Sequence, residues 1–452
     1  MIISKNPYNA EEFARHEEDN ASAIDQKLQN AEDTFQSWKK VSFKQRAFLM
    51  GKAAEDLISN KEEYAGLMTR EMGKPVSQAV AEVEKCSWVC RYYAEKAESQ
   101  LAPEQISTDA EKSFITYEPL GCILAIMPWN YPLWQVFRFA APAIMAGNTV
   151  LLKHASNVMG SAGNIEKVFK RAGFPEGCFT KLIVKSEAVA DIIKDSRIKA
   201  VTLTGSTAAG SAVASEAAAN IKKSVLELGG SNALIVFEDA NLQETVKVCV
   251  QARFQNTGQS CIAGKRLLLH ESIASEFTAE FKKQVSELKS GDPMDKDTFT
   301  GVLAREDLAE TVEEQVRESV EAGAEIILGG KRKGAYFEPT ILTGVSPEMR
   351  IFKEEVFGPA IGIMTFKSDK EAVALANSSG YGLGVSIFTD DPKRAEELVP
   401  EFEDGAVFVN ALVKSDPRLP FGGTKDSGFG RELSYHGIRE FVNVKTVYHH
   451  KF

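Results

Sequence analysis

CILAIMP (122–128), TVLLKHA (149–155), TKLIV (180–184), AVTLTG (200–205) and SVLEL (224–228) are short, β-rich apolar runs spaced roughly 20–30 residues apart. Helical stretches separate the later ones: NIEKVFKRAG (164–173), AVADIIKDS (188–196) and AAGSAVASEAAANIKK (208–223). Strands that alternate with helices at this interval predict βαβ units and a parallel sheet. A second series follows downstream: ALIVFE (233–238), LLLH (267–270), EIILGG (325–330), IGIMTF (361–366), VSIFT (385–389) and AVFVN (406–410). The fold class is therefore α/β, with two consecutive α/β domains meeting near Gly229–Gly230. Upstream, residues 20–100 have helical periodicity, and Gly73 followed by Pro75 is a stop signal within them. KSFITYEP (112–119) and the tail NVKTVYHHKF alternate like strands outside the main rhythm, which suits an arm for subunit contact.

Composition narrows the function. The chain has 452 residues, enough for two or three domains, and a formal net charge of −10. An acidic chain without a basic run argues against nucleic acid as a partner. The most apolar stretch, Pro132 to Gly147, is short and interrupted by Gln135 and Arg138, so no membrane span is expected. The first residues, MIISKNPYNAEEF, contain no apolar signal core. Six scattered cysteines fit a reducing compartment, and the expected location is cytoplasmic. Cys86 and Cys90, one helical turn apart, read as core packing rather than metal ligands, and no metal is expected.

FQNTGQSCIAGKR (254–266) is the strongest local signal. Small residues flank Cys261 and leave its thiol reachable, although buried packing explains such a cysteine equally well. Other motifs fail on detail. Gly258 to Gly264 is one residue too long for a P-loop, and Lys265 is followed by Arg266 rather than Ser or Thr. His270–Glu271 lacks the second histidine of a zinc protease, and there is no G-x-S-x-G nucleophile elbow.

Six motifs together resemble the aldehyde dehydrogenase superfamily. QNTGQSC is similar to its active-site cysteine signature and LELGGSN (226–232) to its glutamate signature. PWNYP (128–132) resembles its oxyanion loop, LTGSTAAG (203–210) its nucleotide turn, EEVFGP (354–359) its nicotinamide-ribose loop, and PFGGTKDSGFGRE (420–432) its late glycine-rich segment. They occur in the family's order over nearly the whole chain. The resemblance implies two Rossmann-type α/β domains with a small β oligomerisation arm. It places the NAD(P)-binding domain at 1–103 and 120–229, the catalytic domain at 230–428, and the arm and C-terminal tail at 104–119 and 429–452. A homodimer or homotetramer is expected.

The implied chemistry is covalent. Cys261 attacks the aldehyde, and Asn130 with the Cys261 backbone N–H stabilises the oxyanion. Glu227, in an otherwise apolar strand, serves as hydrolytic base if burial raises its pKa. Read without the family, Asn130 is equally a turn residue and Glu227 a strand-end charge. Gly205 and Ser206 would meet a pyrophosphate at a helix N-terminus. Glu355 and Phe357 would contact the nicotinamide ribose and ring, with further cofactor contacts at Met127, Trp129 and Leu228. Lys153 matches a lysine that binds the adenosine ribose, and where relatives have a glutamate three residues on, this chain has Ser156. Loss of that carboxylate removes repulsion of a 2′-phosphate, so both NADP and NAD are expected to serve, with NADP preferred.

KHASNVMG (153–160) resembles the bacterial succinate-semialdehyde dehydrogenases of this superfamily. Arg138 matches the arginine that holds the substrate carboxylate there, and Arg418 is a second candidate clamp or a solvated loop charge. Gln255 stands where some relatives have another carboxylate-binding arginine, and Ala263 where some have a second cysteine. No regulatory disulfide is therefore expected. Three other readings stand beside this one. Glu227 argues against a CoA-acylating enzyme, retention of Cys261, Glu227 and Asn130 against a non-catalytic structural homologue, and the lack of a histidine motif against a cysteine hydrolase.

Overall fold

The computed structural model describes residues 1–450. Apolar strands that bury both faces need helices on either side, and two sheets are built this way. The first has the strand order Gly428–Phe429, Lys223–Glu227, Ile198–Thr204, Cys122–Met127, Thr149–His154, Phe179–Leu182. The last five are mutually parallel, and Gly428–Phe429 pairs antiparallel with Glu227 and Leu226 at the edge. Chain order reverses at the central strand Cys122–Met127, so a crevice opens at its C-terminal end beside that of Ile198–Thr204. Asn130 and Gly205 follow these two strands directly.

The second sheet has the order Glu325–Leu328, Thr340–Thr343, Ala360–Phe366, Gly264–His270, Asn232–Val236, Val385–Phe388, Val407–Val409. All its pairings are parallel except that of Glu325–Leu328 with Thr340–Thr343. Only Leu228–Ser231 separates the last parallel strand of the first sheet from the first strand of the second. The C-terminal ends of one sheet thus meet the N-terminal ends of the other, where Cys261 precedes Gly264–His270.

The expected N-terminal helices are Ala21–Trp38, Phe43–Ser59, Lys61–Met72 and Val76–Gln100, the third ending at Gly73. Cys86 and Cys90 of the fourth are fully buried in the main apolar cluster. The stretch after Pro132 is the helix Trp134–Ala146, every residue of which is buried. Among the described residues no helix is long and apolar enough to cross a membrane. The two strand-like segments outside the rhythm do pair. Lys112–Pro119 and Val442–His449 run antiparallel over their full lengths, with Glu104–Gln105 as a third strand. An N-terminal hairpin, Ile2–Lys5 with Glu12–His16, was not legible in the sequence, because its strands are short and only Ile2 and Ser4 are buried.

Candidate active site

The loop before Cys261, the candidate nucleophile, is held by backbone strain and buried amides. Asn256, Thr257 and Gly258 are successively left-handed, with φ of 55°, 54° and 72°. Such a conformation costs about 1–3 kcal/mol at a non-glycine residue and persists only where surroundings enforce it. Here the Asn256 amide donates to the carbonyls of Asn130 and Gln259, each at 2.9 Å, and Thr257 Oγ1 accepts from Gly301 N at 3.0 Å. A side chain at Gly258 would strike the Gly358 carbonyl at 2.4 Å. The loop delivers Cys261 to a partly exposed position, while the other five cysteines are buried.

Asn130 lies at the end of the loop after Cys122–Met127 and is buried, its Nδ2 donating to Gln259 O at 3.2 Å. The oxyanion-loop asparagine and the cysteine loop are thus bonded to each other. Gly230 packs so closely that a Cβ there would meet the Cys261 carbonyl at 2.7 Å. Lys265, in the strand Gly264–His270 and fully buried, binds the carbonyls of Gly230 (2.6 Å), Ser260 (2.8 Å) and Cys261 (2.8 Å) and the Glu355 carboxylate (3.0 Å). Glu355 also accepts from Gly230 N at 3.1 Å. Arg253, equally buried, donates to the carbonyls of Val356 and Gly358 and so fixes the loop carrying Phe357. Phe357 meets Trp129 edge-to-face at 5.6 Å.

Glu227 is buried, and neither of its carboxylate oxygens has a hydrogen-bond partner in the protein. Burial, followed by the nearby Glu432 carboxylate, pushes its pKa well above the ordinary value, while Arg138 and Arg431 oppose. Its carbonyl accepts from Gly205 N at 3.0 Å, linking the candidate base to the candidate nucleotide turn. Burial also pushes the Cys261 thiol up, Arg138 and Lys265 pull it down, and Glu355 and Glu227 raise it again. These groups therefore share one electrostatic neighbourhood.

Both arginines read as candidate substrate clamps have partners within the chain. Arg138 is buried and paired with Glu432, donates to Thr204 Oγ1 at 3.2 Å, and lies 4.6 Å from the Phe421 ring. A guanidinium inside the protein takes the nearest carboxylate, and PFGGTKDSGFGRE supplies one. Arg418 is bound by Asp416 at 2.8 and 2.6 Å and rests over Trp88 with 68% of its side chain exposed. Lys265 and Arg253 escaped the sequence reading. Charged residues bordering apolar strand and helix segments were the available signal.

The residues suited to a dinucleotide fall into two groups. Ser206 caps the helix Thr207–Ala219 through Ala209 N at 3.3 Å, and no acid occupies the first turn, so its exposed N–H groups suit a diphosphate. Lys153 and Ser156 line a cleft of about 1200 Å³, together with the N-terminal hairpin, Val184, Glu187 and Tyr336. Glu187 is a carboxylate that the sequence did not place there. Burial lowers the Lys153 ammonium and Glu187 opposes. Cys261, Asn130 and Glu227 lie outside that cleft's lining. Met127 and Leu228 are buried, with the Met127 carbonyl bonded to Ala155 N at 2.9 Å and Leu228 N to Ser427 O at 3.0 Å. The lysine, hydroxyl and helix terminus as donors and the Glu355 carboxylate as acceptor form a set that fits NAD(P).

The sequence profile of the aldehyde dehydrogenase family matches residues 1–447. The chain belongs to that family. It is 51% identical over 428 residues to a probable succinate-semialdehyde dehydrogenase [NADP(+)] of Synechocystis sp., covering 94% of each. It is 46% identical over 449 residues to the succinate semialdehyde dehydrogenase [NAD(P)+] Sad of Escherichia coli, covering 99% of this chain and 97% of that one. The succinic semialdehyde dehydrogenase of Streptococcus pyogenes, solved with NADP+, superposes with a TM-score of 0.98 at 34% identity over 100% of both chains. As an aldehyde dehydrogenase, the protein carries out NAD(P)-dependent oxidation of an aldehyde.

The raised thiol yields a test that needs no substrate. Alkylation of native protein by iodoacetamide should modify one cysteine per chain, Cys261, at a rate still rising above pH ~8.5, the value for a free thiol. A rate that levels off by pH 7 would contradict the burial argument.

Proposed function

We propose that the protein oxidises succinate semialdehyde to the dicarboxylate, with NADP+ as the preferred acceptor and NAD+ accepted. The names of the Synechocystis and E. coli relatives support the substrate and the dual cofactor. The observation that carries the hydrolytic reaction is Glu227, a buried carboxylate with both oxygens free in the neighbourhood of Cys261. A CoA-acylating enzyme has no use for such a base.

In this reading the Cys261 thiolate forms a bond to the aldehyde carbon, and the carbonyl electron pair moves to oxygen. Asn130 Nδ2 and the Cys261 N–H donate to that oxyanion, a contribution of typically 10²–10³ in rate per donor. NAD(P)+, when bound, would supply the hydride acceptor for the oxidation. Lys153, Ser156, the helix terminus after Gly205–Ser206, Glu355 and Phe357 would hold and orient it, with Met127, Trp129 and Leu228 shaping the surround. Glu227 then takes a proton from water as that water attacks the Cys261 thioester. Collapse releases the acid and returns the thiolate. The chain works as a homodimer or homotetramer, an assignment supported by exposed Val444 and Tyr448 on the arm.

A second reading is oxidation of aldehydes that lack a terminal carboxylate. The pairing of Arg138 with Glu432 favours it, since that clamp is already occupied. A panel of aldehydes separates the two. The first reading expects kcat/KM for succinate semialdehyde at least about tenfold above that for butanal, as one charge-assisted hydrogen bond provides. Equal values would select the second.

Cofactor choice is tested at Ser156. Wild type should use NADP more efficiently than NAD. Ser156→Glu should lower kcat/KM for NADP by about 10–100-fold relative to NAD, because a carboxylate facing a phosphate is repelled. A wild type markedly more efficient with NAD would overturn the preference.

A further inference from the structure

We infer that Lys85, together with Ser415, is the receptor for the carboxylate of the substrate aldehyde. The inference rests on the proposed semialdehyde reading and assigns its recognition to a residue outside the expected arginines.

Lys85 lies on the helix Val76–Gln100, away from the cleft that holds Lys153 and Ser156. It is half-buried, and its ammonium sits 4.2 Å from the centre of the Trp134 ring. Trp134 is four residues after Asn130 and one helical turn before Arg138 on the helix Trp134–Ala146, so Lys85 packs on the element that connects the oxyanion asparagine to Arg138. Charge effects follow the same path. Arg138 acts on Lys85 and also on the Cys261 thiol. Burial, then Arg138, lowers the Lys85 ammonium to about 8.

No ion pair reaches Lys85 among the described residues. The carboxylates close enough to influence it are committed elsewhere. Glu82 pairs with buried Lys74 and accepts from the amides of Leu133 (2.9 Å) and Trp134 (3.0 Å). Asp416 holds Arg418. A largely desolvated cation without a counter-ion is costly, and an arriving anion removes the cost.

Ser415 completes the receptor. It is buried, and its Oγ accepts from Lys85 Nζ at 2.9 Å and from Trp134 Nε1 at 3.0 Å. A serine oxygen has two lone pairs and one O–H. Both lone pairs are used, so the O–H remains to donate, and it has no acceptor among the described residues. Lys85 has two further N–H groups. These donors lie side by side and suit the two oxygens of a carboxylate. Arg138, neutralised by Glu432, contributes shape through the Phe421 contact rather than free charge.

The test compares wild type, Lys85→Met, Lys85→Arg and Ser415→Ala on succinate semialdehyde and butanal with saturating NADP+. Lys85→Met should lower kcat/KM for the semialdehyde by about 10–100-fold, mainly through KM, and reduce its preference over butanal by a similar factor. Lys85→Arg should restore most of that preference. Ser415→Ala should lower it several-fold, and decides the matter if Lys85→Met does not fold. Equal losses on both aldehydes, or an unchanged preference in the variants, overturn the role of Lys85 while leaving the semialdehyde reading intact. A wild type without preference for the semialdehyde overturns both.

Discussion

One buried ammonium organises the catalytic centre. Lys265 binds three carbonyls and the Glu355 carboxylate, and those groups belong to the inter-sheet crossing, the nucleophile's loop and the cofactor loop. A lysine without water must satisfy its donors from the protein, so these segments cannot move independently. The left-handed run at Asn256–Gly258 adds to this constraint from the other side, and Asn130 is drawn in through Asn256 and Gln259. Cys261 is thereby presented by a loop bonded to its neighbours, which suits the proposed positioning of a nucleophile against an oxyanion donor.

A second constraint acts on charge. Glu227, Glu432 and Arg138 share a buried region, and only one carboxylate can be neutralised by one guanidinium. Burial penalises the ionised form of both carboxylates, and the Arg138–Glu432 pair leaves Glu227 as the one without a partner and the more strongly raised. The same pairing occupies Arg138, and Lys85 is a nearby cation with no ion pair among the described residues. In the proposed reading, base strength and substrate recognition both follow from the partner Arg138 takes.

Much of the fold was legible. The period of the apolar runs predicted both parallel sheets, and the crossing between them falls at the glycine pair identified in the sequence. Alternation in residues 112–119 and in the tail marked two strands, and the structure pairs them with each other. The N-terminal hairpin was hidden because so few of its side chains are buried. At the site, Cys261, Asn130 and Glu227 were named from motifs, and the structure brings the first two loops into direct contact. What the sequence could not give was the partner of each charge. Arg138 and Glu432 are separated by about two thirds of the chain, and nothing local signals their pairing. Lys85 looks like one more helix-surface lysine until Ser415 and Trp134 fold against it.

The central claim is that Cys261 carries the acyl group and Glu227 releases it. Intact-protein and peptide mass spectrometry of Glu227→Gln, mixed with aldehyde and NADP+, tests this directly. The account predicts about one equivalent of reduced cofactor per active site, followed by slow turnover, with an acyl mass on the peptide containing Cys261. Wild-type turnover with no acyl mass on Cys261 would contradict it.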